Sequence, residues 1–557
     1  MKLKKLLLFI LTVTLYGGVI FAQQTDTVYV PANKENGDPY VNSLIDYIVA
    51  DTNAAGEQLH SVYKLERGSF YIVDKAVDLK NPVKIVADPP VENDPEKAPP
   101  KILSNVTADG GTATMNLINT WADITIKNVW LAGIDAGGQN RGWGYGQALA
   151  VQDSFVTVTL DGVWLDYNGW SAIATAQPHT SWFINNLHAR NEQNPGDQWT
   201  TFVFFLENAG VVDTFVAKNC TYFQSNSFFI FPPDVIQYIE VDHCTFVNLL
   251  KWPFHETQWL KAKFTNNIFY NVSALSLTET EEEGQDPDHL EYGLINVDTL
   301  AANELGQPGQ YTIPESEREI IVKNNLYYFT QDLQDYWANN DSVKAQVWMN
   351  SRTRAMFDND AEWPGLVEEN TWNQDPMFND FPQLSEATAK LVQVCLDIRA
   401  GSMHEWDWDA DQVSDPQFYR LINPYPLPEN FRSYAGLVGT DGLPIGDLRY
   451  YPDLVSVEEN SNGVPNDFQL LQNYPNPFNP STIIRFNLNK SGYVKLSVFN
   501  LLGEKVITLV DDVKNAGSHF VTWNGKNSAS ISVPAGIYFY KLEMENNIQV
   551  KKMMLLK

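Results

Sequence analysis

VTLDGVWLDYN (158–168) and WFINNLHARN (182–191) decide how this chain folds: an apolar alternation, a bend-forming residue, then a second apolar–x–apolar run. The phrase recurs as ITIKNVWLAG (124–133), FVAKNCTYFQ (215–224), IEVDHCTFVN (239–248), FTNNIFYN (264–271) and IVKNNLYYF (321–329). Taking the residue before each second run as an anchor gives Asn128, Gly162, Asn186, Asn219, His243, Asn267 and Asn325, spaced by 34, 24, 33, 24, 24 and 58 residues. Three spacings of 24 define a unit, and the longer ones carry insertions. A period in the low twenties, rich in β-branched and aromatic residues, is one coil of a parallel β-helix. An antiparallel sandwich would need hairpins with two-residue turns, which do not separate these runs.

Strand alternation then assigns the faces. One residue past the anchors lie Val129, Val163, Leu187, Cys220, Cys244, Ile268 and Leu326; three past lie Leu131, Leu165, Ala189, Tyr222, Phe246, Tyr270 and Tyr328. These point inward and stack coil on coil. Asn at the anchors suits a bend, because it tolerates the left-handed conformation. Cys220 and Cys244 share one inward column, which permits either a bridge or two stacked thiols; Cys395 has no evident mate.

The intervening positions point outward. Trp130, Trp164 and His188 form an aromatic track, with Asp166, Arg190 and Glu192 beside it. Loops 133–147 and 191–201, carrying Trp143 and Trp199, come into register with this face as cleft walls. Planar rings suit sugar faces, and a carboxylate beside Arg and His suits proton abstraction. The alternative is that the rings pack beneath those loops as a satellite core.

Residues 42–56 (NSLIDYIVADTNAAG) read as a helix, the cap an open solenoid end needs, and 69–90 as a first coil. This gives a leader at 1–22, a cap and first coil at 23–100, the β-helix at 101–455, a linker at 456–465 and a distinct C-terminal domain at 466–557. The 557 residues carry a net charge of −30, which argues against nucleic acid as a partner. The charge is unevenly spread: 466–557 holds ten Lys/Arg against six Asp/Glu, 1–22 adds three Lys, and 23–465 therefore carries −37. Lys2, Lys4 and Lys5 followed by the apolar run Leu6–Leu15 read as a secretory signal, with no transmembrane segment expected in the mature chain.

The last 92 residues alternate in short strands punctuated by Gly503, Gly517, Gly525 and Gly536, the pattern of a small β-sandwich. YPNPFNPST (474–482), VFNLLGEKV (498–506), PAGIYFYKL (534–542) and the ending VKKMMLLK resemble the type A C-terminal sorting domain of the type IX secretion system. That resemblance implies the secretion machinery as a partner, with the mature chain released or attached to the outer cell surface.

The repeat resembles right-handed parallel β-helix proteins of the pectate-lyase-like superfamily, as do ENTWNQDPMF (369–378) and GTDGLPIGDLRYY (439–451) near its end. The expected fold is all-β: a right-handed parallel β-helix followed by a small Ig-like β-sandwich. The resemblance implies polysaccharide, including acidic glycan, as the partner. It also implies lyase chemistry with an Arg or Lys base, for which Arg190 and Lys218 are the candidates. His188 and Asp166 complete the catalytic set. Trp130, Trp164, Glu192, Trp143 and Trp199 form the substrate-binding set. Such lyases often use Ca²⁺; no ligand set is fixed here, and the acidic runs 278–291 and 405–411 lack the EF-hand pattern. The rival function is a non-catalytic surface adhesin or structural protein.

Overall fold

In the computed structural model the described residues run from 26 to 555. They exclude 90–97, 109–111, 137–145, 191–200, 226–228, 255–257, 279–292, 301–313, 379–381, 403–431, 452–467, 474–481 and some single or paired positions. The expected signal segment and the acidic runs 278–291 and 405–411 lie wholly or mostly outside the described residues.

Successive coils wind the same way. A central coil supplies a strand to sheet 1, a bend, a strand to sheet 2, a loop, and a strand to sheet 3. Residues 157–185 show the cycle: Thr157–Asp161 in sheet 1, Trp164–Asp166 in sheet 2, Ser171–Thr175 in sheet 3, then Thr180–Asn185 in sheet 1 again. Among the described residues sheet 1 has eleven strands, sheet 2 ten and sheet 3 six. Their ladders are parallel, as Thr157↔Ser181 and Trp164↔His188 illustrate. This is a parallel β-helix.

The bends explain the asparagines. Asn128, Asn186, Asn219 and His243 have φ between 51° and 55°, the left-handed region that Asn adopts at little cost. Gly162 stands in the same row because a Cβ there would lie 2.3 Å from Asn128 Oδ1. Val129, Val163, Leu187, Cys220 and Cys244 form one inward column, and Leu131, Leu165, Ala189, Tyr222 and Phe246 another; all belong to one continuous core. Cys220, Cys244 and Cys395 are free, buried thiols.

Beyond His243 the expected register slips by one. The left-handed residues are Asn266 and Asn324, not Asn267 and Asn325. Thr245 pairs with Ile268, and Phe246 with Phe269. Asn267 and Phe269 therefore point inward, while Ile268, Tyr270, Leu326 and Tyr328 face outward, opposite to the alternation reading. The cause is burial on both faces. Ile268 and Leu326 pack outside the coil against Ile445, so apolar alternation no longer distinguishes in from out. Inside, the Asn267 carboxamide accepts from Cys244 N–H (2.8 Å) and donates to Val241 O (2.9 Å) and Asn325 Oδ1 (2.9 Å).

Two other expectations change. The 42–56 helix is a single wide turn, Ile45–Val49, with Leu44 and Ile48 buried against the first coil. The chain instead folds back through a Thr52↔Gln58 bridge. Among the described residues three α-helices decorate the C-terminal coils: α1 Gln331–Ala338, α2 Ser351–Phe357 and α3 Pro382–Arg399. The C-terminal domain is antiparallel, a three-stranded and a four-stranded sheet around Leu470, Ile484, Leu496, Trp523 and Tyr540.

Candidate functional site

The outer face of sheet 2 brings most of the expected site together. Trp130, Trp164 and His188 are register partners on consecutive coils, with ring centroids 5.5 Å apart at each step. Asp166 and Arg190 occupy the neighbouring outward column. Trp130 Nε1 donates to Asp166 Oδ1 at 2.8 Å, and Arg190 Nη2 lies 4.0 Å from Asp166 Oδ2.

Lys101, which the repeat pattern did not single out, completes the cluster. It pairs in register with Trp130, and its ammonium sits 4.1 Å from that ring's centre. The only hint in the sequence is a lysine set between Pro100 and the apolar Ile102–Leu103 at the start of a strand. Burial pushes the Lys101 amine down to about 7; Asp166 opposes that and Arg190 adds to it. Burial, then the charges of Arg449 and Arg190, hold the His188 imidazole well below its ordinary range.

Access decides what this cluster can do. Trp130, Asp166 and Arg190 are 0% exposed, Lys101 4% and Trp164 5%; only His188 is half-buried. The tryptophans pack with Leu103, Ile134, Phe70 and Ile72 as an apolar layer outside the coil. The rings thus present no open face to a sugar, and the carboxylate between Lys101 and Arg190 is held away from water. Trp143, Glu192 and Trp199 lie outside the described residues.

Lys218 is elsewhere. It ends a sheet 1 strand on the far side of the Asn219 bend and pairs with Glu240 at 2.8 Å. Arg190's register neighbours are Asp166 and Phe223, so the two expected bases do not share a face. Asp161 likewise sits on sheet 1, paired with Lys127 at 2.8 Å. Among the described residues no three His, Cys, Asp or Glu side chains gather as a metal ion would require.

Farther along sheet 2 the outer face is covered by the 439–451 segment. Asp447 accepts from Thr221 Oγ1 (2.7 Å), and its N–H donates to Thr245 Oγ1 (2.9 Å). Arg449 donates to Leu187 O at 2.9 Å and also bonds Asn186 O and Asp447. His243 is bound by Gly446 O and by Asp441 (3.1 Å). The strap thus runs back across the coils and ends beside His188.

Residues 472–556 match the family model of the secretion system C-terminal sorting domain, so this chain carries the sorting domain of the type IX system. That domain marks it for export, followed by cell-surface attachment or secretion. No curated protein matches the chain. Two solved structures share short stretches with it. Dimeric latent PorU from Porphyromonas gingivalis is 15% identical, with a TM-score of 0.14, over 17% of this chain and 10% of that one. PorZ, an essential surface component of the type IX system of the same organism, is 13% identical, with a TM-score of 0.13, over 18% and 13%. The chain spans about a tenth of the length of these proteins. Among the described residues no helix is long and apolar enough to cross a membrane.

Proposed function

We propose that this is an exported, surface-displayed β-helix of the pectate-lyase-like type that binds polysaccharide without cleaving it. The observation that carries the non-catalytic half is the burial of Lys101, Asp166 and Arg190 at 4%, 0% and 0% exposure. A β-eliminating base must reach the carbon-bound proton of its substrate within hydrogen-bonding distance. A group sealed beneath packed tryptophans does not. The cluster instead latches the outer layer of sheet 2 to the coil. Support for the polysaccharide half comes from export to the cell exterior, a rigid ladder of coils, and an aromatic content of 13%.

The lyase reading has one observation in its favour: the Lys101 amine, at about 7, is tuned to the range of a general base beside Arg190. Incubating the secreted protein with neutral and uronate polysaccharides separates the two. Retention without new ultraviolet absorbance from an unsaturated product is the expected result. Such a product, lost in Arg190→Ala or Lys101→Met, overturns the non-catalytic reading and restores Arg190, His188 and Asp166 as catalytic, with Trp130 and Trp164 as the sugar platform.

A further inference from the structure

The corner that leads from sheet 3 into sheet 1 departs in three ways from what folding alone asks of it. The first is the backbone of Phe155. Its φ is 62°, the left-handed region that a bulky aromatic residue adopts only at a cost. A later coil turns the same corner with Gly210 (φ 64°), where no Cβ resists that conformation. The second is exposure. The Phe155 ring is 76% exposed, so its burial does not offset the strain. The third is a β-bulge. Thr180 pairs with Val212 but Ser181 with Thr214, which leaves Asp213 as the extra residue. A bulge of this kind re-aims a side chain.

These departures join into one chain of contacts across four coils. Phe155 stacks on His179, with ring centroids 5.1 Å apart and planes 1° apart. His179, itself left-handed at φ 60°, holds its Nδ1 3.0 Å from Asp213 Oδ1. Gln237 Nε2 donates to the same oxygen at 3.1 Å. Each member braces the one before it, and the Phe155 ring is the end of the chain. Thr157 and Ser181 are register partners, so the two rings pile up along the axis of the solenoid. His179 covers one face of Phe155. The other face looks back toward the preceding coil.

That coil has a shorter corner. Thr120 pairs with Val151, and Ile124 with Val158. Three residues, 121–123, therefore make the turn that six, 152–157, make in the next coil. The longer corner projects beyond the shorter one, and Phe155 stands on the wall of the resulting step. Asp123 is exposed on its floor, with Oδ1 accepting from Thr157 N–H at 2.8 Å. The Lys80 ammonium lies over the Trp121 ring; it takes that ring's face and brings a cation to the step.

We propose that this step binds a neutral sugar unit of a polysaccharide, with the C–H face of the sugar against the open face of Phe155. A planar ring offers that face, while Asp123 accepts from sugar hydroxyls and Lys80 donates to them. One carboxylate and one ammonium leave the step without net charge, so neither a polyanion nor a polycation is favoured there. His179 and Asp213 are positioning residues: they act by holding the ring upright. A single exposed apolar side chain is ordinary on a protein surface. A strained one, braced from one side by three further coils and bare on the other, is not. Strain kept where it stabilises nothing points to use of the group that bears it.

The inference rests on the polysaccharide-binding reading and gives it a place. The test uses the full secreted chain, titrated by calorimetry with neutral oligosaccharides, uronate oligosaccharides and an oligolysine peptide. Phe155→Gly removes the ring and suits the left-handed backbone. Phe183→Ala removes another exposed ring of sheet 1 and is the control. The expected result is binding of a neutral oligosaccharide that weakens roughly tenfold in Phe155→Gly and is unchanged in Phe183→Ala. The melting temperature of Phe155→Gly should equal or exceed that of the wild type, because the strain leaves with the ring. A lower melting temperature, or failure to fold, makes the ring structural and overturns the site. Neutral-glycan affinity that Phe155→Gly retains, or that Phe183→Ala loses equally, also overturns the site and leaves the broader reading standing. Tighter binding of uronates or oligolysine overturns the charge argument. Binding of no glycan overturns both the site and the reading beneath it.

Discussion

Replacing Asn267 by Ala tests the slipped register directly. Asn267 is fully buried, and its carboxamide makes three hydrogen bonds: from Cys244 N–H, to Val241 O and to Asn325 Oδ1. Asn325 Oδ1 keeps the Asn267 backbone N–H at 3.0 Å, and its own amide still reaches Phe264 O at 2.7 Å. Truncation therefore orphans one buried N–H outright and removes one donor from each of two oxygens. An orphaned buried group costs about 1–3 kcal/mol and each of the two remaining bonds roughly 0.5–1.5 kcal/mol, giving about 2–6 kcal/mol in all. Urea unfolding followed by far-ultraviolet circular dichroism and tryptophan emission measures it, with coincidence of the two probes as the check on cooperativity in a repeat protein. The Asn267→Ala/Asn325→Ala double variant should fall short of additivity, because the pair shares bonds. A loss below about 1 kcal/mol would place the side chain outside that network and sink the register, since orphaning the Cys244 N–H alone costs at least that much.

Three further outcomes follow from the same coordinates. Lys101→Met should flatten the alkaline part of the pH–stability profile. With its amine lowered to about 7, the folded state is neutral at Lys101 while the unfolded chain stays protonated up to ~10.4, so wild-type stability climbs with pH between those values and the variant's does not. The strap should loosen as pH rises through the raised His243 pKa. Burial disfavours the His243 cation, but the Asp441 bond, with Asp242 and Gly446 O, outweighs it and raises the pKa; Asp441 is correspondingly lowered. The His243 contribution is complete below ~6.5 and lost as pH rises through the raised value, while that of Asp441 is present above ~3.9. Limited proteolysis of 439–451 should thus be slowest between those limits, and His243→Gln should abolish the pH dependence. Finally, mass spectrometry after alkylation should find three thiols labelled in denaturant and none in the native protein, because all three are free and buried; a mass two hydrogens lower would reveal a bridge.

Much of the fold was legible because a coil repeats its chemistry. Asn128, Asn186 and Asn219 stand at bends, the Val129 to Cys244 column lies inside, and the short alternating strands expected in the last 92 residues include Thr482–Leu488, Gly492–Phe499, Lys505–Lys514, Gly517–Trp523, Gly536–Met544 and Asn547–Leu555. Adjacency within the site was legible too: spacing alone puts Trp164 between Trp130 and His188. Lys101 was missed because the coil that carries it lacks the repeating phrase. Lys218 was grouped with Arg190 because the two fall on adjacent coils, although Lys218 precedes the Asn219 bend and Arg190 follows the Asn186 bend, which puts them on different sheets.

The order of residues determined the destination and the winding: a sorting domain written in contiguous motifs, and a repeat whose period matches one turn of backbone. Both are local and depend on no distant contact. Which face of each strand meets solvent was settled only by the fold. Segments far away in the chain, such as Ile445 against Ile268 or Asp447 against Thr221, cover outward positions and bury them. Exposure depends on what packs from a distance, and so the burial of the tryptophan track belongs to the tertiary structure.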